Sequence, residues 1–256
     1  MKKIRVFKEE KKSTLKVAIV ILFFYSLSLL PLQMLLPLIE EDGLLENLTA
    51  IFFFITSICF FLLFMYPNLL RKSKRRALFT TKNRRYVFLL LSLVFFFGFG
   101  EEISWGQRIF GFTTPESLTE VNAQNEFNIH NLEIFNVRDN DGVDRGTLAK
   151  LFTMKQLFLY CFFIYLLVVP FLKAYSSKMA GLFRKFYIPV PSIWLGLLFI
   201  GNYTLYRVFR IFVDQEMSQD INNGLTEIQE FNFSIILLLV PFSLMRIKIK
   251  DLGKRD

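Results

Sequence analysis

The sequence predicts an all-α integral membrane protein: a six-helix transmembrane bundle in one domain over residues 1–256, with one long outer loop at about 109–150. Three observations predict it. The chain is 53% hydrophobic and carries 32 phenylalanines, more than a soluble domain of 256 residues would hold. Apolar runs of about 20 residues, long enough to cross a bilayer as helices, recur along the whole length. Its lysines and arginines gather in alternate segments: the N-terminal tail, 71–85, 173–185 and the C-terminal tail. The positive-inside rule assigns such segments to the cytoplasm, so both termini are expected inside and the number of spans is even.

The expected spans are roughly 17–38, 48–66, 86–106, 152–172, 189–208 and 231–246,. Helices are the reading for each, because lipid offers no partner to an open backbone; the alternation of a barrel strand is missing from all six. The first run follows a basic tail but is too long for a signal peptide and lacks a small-residue cleavage site, so it reads as a retained helix. Cys59 and Cys161 both fall within spans and read as packing residues. The net charge of +9 follows topology and anionic lipid rather than nucleic acid,. In the outer loop, Thr114-Pro115-Glu116 reads as a helix start with threonine as cap. Asp139-Asn140-Asp141-Gly142 reads as a turn; as a calcium loop it lacks acids at Val137 and Leu148,.

Chemistry is expected where the third span ends, in FFFGFGEEISWGQR (95–108). Glu101 lies 15 residues after Tyr86. At ~1.5 Å per residue that is about 22 Å into a core of ~30 Å, too deep for water to solvate the carboxylate freely. Ionisable residues in such places are functional candidates. Helical spacing groups Glu101, Ser104, Trp105 and Arg108 on one face, with Glu102 on another between Gly98 and Gly106. The bland reading is a structural ion pair, with Arg207 of the fifth span as partner. A second candidate stretch is NAQNEFNIHN (122–131), where Asn122, Gln124, Glu126, Asn128 and His130 alternate. Whether strand or helix, it points Glu126 and His130 the same way. His130 is the sole histidine, and a neighbouring carboxylate could orient it as a general base or join it on a metal. The bland reading here is a polar loop whose amides cap helix ends. Further outer acids (Glu40, Glu41, Asp42, Glu46, Asp214, Glu216, Glu227 and Glu230) suit helix N-termini. They could also gather around His130 with Asn202, Tyr203 and Arg207.

GEEISWGQR followed by NAQNEFNIHN resembles a pattern carried by uncharacterised bacterial multi-pass membrane proteins. The resemblance spans roughly 100–131 and brings no established activity. It directs attention to Glu101, Glu102, Trp105, Gln107, Arg108, Asn122, Gln124, Glu126 and His130. The EE…R order is similar to the first motif of CAAX-protease-like membrane proteins, but Arg108 stands six positions after Glu102 where that motif allows four, and the further histidines are missing. One histidine also excludes the His-rich sites of membrane desaturases and ceramidases, and Ser104 lacks a rhomboid-like setting.

The expectation is an inner (plasma) membrane protein with a polar site at the outer leaflet, hydrolysing or transferring a group on a lipid or envelope precursor. Glu101, Glu102, His130 and Glu126 would act as acid–base residues. Trp105 would pack on substrate, Arg108 would hold an anionic headgroup or lipid-linked phosphate, and Gln107, Asn122, Gln124, Asn128 and Arg207 would supply hydrogen bonds. A divalent metal on Glu101, Glu102 and His130 is compatible with these ligand types. The alternatives are a proton- or cation-coupled transporter and an envelope assembly or scaffold protein.

Overall fold

The computed structural model describes residues 2–39, 43–70, 82–122, 125–137, 143–213 and 219–245. These are largely helical, with no strand among them; isolated bridges join Leu70 to Met245 and Asn122 to Leu132. In chain order the helices are α1 (Lys2–Leu27), α2 (Leu32–Ile39), α3 (Leu44–Met65), α4 (Lys82–Glu102), α5 (Gln107–Phe110), α6 (Glu116–Thr119) and α7 (Gly146–Leu151). There follow α8 (Met154–Phe163), a π-helical turn (Ile164–Val168), α9 (Val169–Tyr175), α10 (Ser177–Lys185), α11 (Ile193–Val213) and α12 (Gln219–Leu244).

Among the described residues, three helical stretches are long and apolar enough to cross a membrane: Gln33–Met65, Met154–Tyr175 and Gly224–Leu244. Large apolar side chains such as Leu90, Leu93, Phe96 and Phe97 lie exposed on α4. The first expected span, 17–38, is broken. Helix α1 ends at Leu27, a turn closes with Leu30 N–H donating to Leu27 O, and Pro31 precedes α2. Proline holds the residue before it out of the helical region, which accounts for the break. The fifth and sixth spans are displaced from their expected bounds: α11 runs to Val213, and α12 begins at Gln219, about a dozen residues before the expected start at 231.

Helix α12 is the centre, packed on α3, α11, α2 and α1, while α3 and α4 form the most extensive pair. Across that pair Ser57 Oγ donates to Ser92 O at 2.8 Å and Ser92 Oγ donates to Ser57 O at 3.0 Å, satisfying both hydroxyls inside an apolar interface,. Phe60 stacks on Phe95, and Gly98 lets the helices close up, since a Cβ there would stand 3.3 Å from the Phe53 ring. Arg85 Nη1 donates to Phe64 O at 2.9 Å, placing a cation at the C-terminal end of α3,. These contacts fix the far end of α4, and with it Glu101.

Candidate functional site

Helix α4 stops at Glu102 because the chain turns left-handed. Ser104, Trp105 and Gly106 have φ of 45°, 52° and 84°. For serine and tryptophan this conformation costs of order 1–3 kcal/mol each, and such strain persists only where the surroundings impose it. What imposes it here is visible. The turn brings Trp105 back over its own helix, the indole lying where a Cβ on Gly100 would stand 2.9 Å from Cε3. Trp105 Nε1 donates to Glu101 Oε1 at 2.7 Å, and the ring meets Phe97 edge-on.

The other oxygen of Glu101 takes the loop that follows α6. Ile129 N–H and His130 N–H donate to Oε2 at 2.7 and 2.8 Å, and His130 Nδ1 lies 3.4 Å from the same atom. The carboxylate is buried while the imidazole is 38% exposed. Two successive main-chain donors on one anion form a small nest, a binding mode well suited to a carboxylate away from water. Glu101 is thereby supplied with donors from three residues.

Glu126 has other partners. Ser104 Oγ donates to Oε2 at 3.0 Å, and Asn128 Nδ2 and Asn131 Nδ2 donate to the same oxygen. Buried Asn122 binds Asn128 through Nδ2 and receives the Glu126 N–H on Oδ1. Gln107 clamps the loop from below, its Oε1 accepting Phe127 N–H at 2.7 Å and its Nε2 donating to Thr114 Oγ1. The loop is thus sewn to the end of α4 by side-chain amides and carboxylates.

Several expectations change on this geometry. Residues 122 and 125–131, the described part of that stretch, are neither strand nor helix but a loop closed by the Asn122–Leu132 bridge, so alternation does not set side-chain direction there. The carboxylate that meets His130 is Glu101, and Glu126 binds Ser104 and the asparagines instead. Helix α6 starts near Thr114 as expected, but Pro115 occupies the cap position; the Thr114 hydroxyl donates to Asn125 O. Ser104 does not pair with His130. Arg207 is exposed on α11 and enters none of the ion pairs among the described residues. Gln124, Glu40, Glu41, Asp42, Asp214, Glu216 and the Asp139–Gly142 turn lie outside the described residues, as does the side chain of Arg108.

Glu102 parts from Glu101. It is half-buried, and the carboxylates of Glu230, Glu227 and Glu46 act on it as well as that of Glu101, so acids of α3, α4 and α12 share one region. Lys155 of α8 stands there too, 3.4 Å from Glu230 and 4.9 Å from the centre of the Tyr206 ring. Sequence reasoning missed Lys155, although a lone cation at the start of an apolar run was a usable signal. Glu101, Glu102 and His130 do not assemble as a metal-holding set, and no group of three or more His, Cys, Asp or Glu does so among the described residues. No family model, curated protein or solved structure matches the chain.

Proposed function

We propose that the protein is a plasma (inner) membrane enzyme of six spans, with both termini cytoplasmic, that hydrolyses or transfers a group on a lipid or envelope precursor at the outer leaflet. The observation that carries this reading is the Glu101–His130 pair at a strained turn. A carboxylate on Nδ1 fixes the orientation and tautomer of the imidazole, leaving Nε2 to take or deliver a proton. The ring is partly exposed, so a substrate can reach it, whereas the carboxylate beside it is buried. Trp105 is also partly exposed and offers an apolar face to a lipid chain,. Arg108, three residues further on, supplies a cation for an anionic headgroup.

One observation favours a second reading, the envelope scaffold: Glu101 is so well supplied with donors that it would hold the loop as a binding surface without doing chemistry. His130→Ala separates the two. It keeps the main-chain N–H that binds Glu101 and removes only the imidazole. Cells lacking the protein, and cells carrying His130→Ala or Glu101→Gln copies, are compared by lipid and envelope-component profile, with membrane insertion checked in parallel. The enzyme reading expects both variants to reproduce the profile of the deletion. A normal profile for His130→Ala, with loss only for Glu101→Gln, assigns the site to the scaffold role.

A further inference from the structure

Away from the Glu101–His130 site, the middle of the bundle holds a polar belt contributed by α1, α11 and α12. Tyr25 Oη donates to the Asn202 side-chain Oδ1 at 2.9 Å and lies 3.1 Å from its main-chain O. Asn202 Nδ2 donates to Gln229 O at 2.9 Å. Next to this satisfied pair stand two orphaned amides: Nε2 and Oε1 of Gln229 and Nδ2 and Oδ1 of Asn232 have no hydrogen-bond partner among the described residues. All four side chains, Tyr25, Asn202, Gln229 and Asn232, are 0% exposed. Gln229 and Asn232 both fall inside Gly224–Leu244, one of the stretches apolar enough to cross a membrane.

Buried polar groups are hydrogen-bonded with few exceptions, because an orphan has lost its water and gained nothing in return. Four orphan atoms on neighbouring residues of one helix therefore call for a ligand, and their chemistry selects it. Each amide lacks both a donor partner and an acceptor partner. A cation would satisfy the two oxygens and leave both NH2 groups unmet. An anion would do the reverse. Water donates and accepts, and a buried water typically makes about three hydrogen bonds. Residues three apart on a helix are neighbours on its surface, so one water or a short chain can reach both amides.

We infer that Gln229 and Asn232 form an internal water-binding site in the membrane-spanning core, continuous with the Tyr25–Asn202 pair. The site is independent of the Glu101–His130 chemistry and stands whether or not that reading holds.

The test uses the full chain in lipid nanodiscs, with the side-chain amides of glutamine and asparagine labelled with nitrogen-15. Gln229 and Asn232 NH2 resonances, assigned by their loss in Gln229→Met and Asn232→Leu, are expected to show rotating-frame cross-peaks to water with the sign of dipolar contact. Each single variant strands the water and the remaining amide, and is expected to lower the melting temperature by about 2–4 °C. The double variant is expected to lose less than the sum of the two, because water and amides leave together. Missing water cross-peaks, or additive effects of either sign, overturn the inference. A melting temperature that rises when sodium replaces choline overturns it in favour of a cation. If a variant fails to fold, the cross-peaks of the unaltered protein, assigned with the other variant, decide alone.

Discussion

Trp105 is the residue on which the Glu101–His130 site hinges. Its indole N–H holds one oxygen of Glu101 while its ring, seated on Gly100, keeps the left-handed turn closed. Trp105→Phe keeps a ring there and removes the donor. It is expected to cost about 1.5–3 kcal/mol, typical of a hydrogen bond to a charged group, and to speed hydrogen exchange at the Ile129 and His130 amides. Unchanged exchange would mean that the indole only fills space. The Glu101–His130 meeting was legible in the sequence because two quantities pointed to it: the depth of an unsolvated acid, and the rarity of a lone imidazole. The role of Glu126 was misread because period-two and period-four arguments apply only to regular backbone, and this loop has none. The left-handed turn carried one usable sign, Gly106; nothing in local propensity marks Ser104 and Trp105 for positive φ, which tertiary bonds impose.

Among the elements, the fourth apolar stretch is the most informative. Pro170 lacks an N–H, so the helix cannot bond Leu166 O in the ordinary way. The π-helical turn Ile164–Val168 sits at that point, and Gly196 of α11 packs on the same carbonyl. A Cβ on Gly196 would meet backbone, which cannot move aside as a side chain can. Gly196→Ala is therefore expected to lower the melting temperature by several degrees, reflecting about 1–3 kcal/mol of overpacking. Gly201→Ala, five residues on in the same helix and with nothing within 4 Å of the added methyl, is the control. It is expected to be neutral or to stabilise by about 0.5–1 kcal/mol through helix propensity. Equal losses at both positions would refute the close approach. Proline signalled both irregularities in the sequence, here and at Pro31, but apolar composition masked them because hydropathy is blind to backbone bonding.

For the whole molecule, hydropathy gave the all-helical character and failed on element limits, because burial within the bundle and lipid exposure demand the same residue types. The alternation of basic segments bears on orientation, which yields a direct expectation. In a cysteine-free background, a single cysteine replacing exposed Ile134 in the loop should react with an impermeant maleimide added to intact cells. One replacing Lys178 of α10 should react only after permeabilisation,. The opposite pattern would invert the proposed topology and move the Glu101–His130 site to the cytoplasmic side.

The grip of Glu101 on the loop is made with main-chain N–H groups at positions 129 and 130. Information is therefore distributed unevenly between the two halves of that clasp. Almost any amino acid at 129 brings the same donor, so a saturation scan should find that site permissive, with proline as the sharp exception. Position 101, seen in the same scan, should tolerate next to nothing.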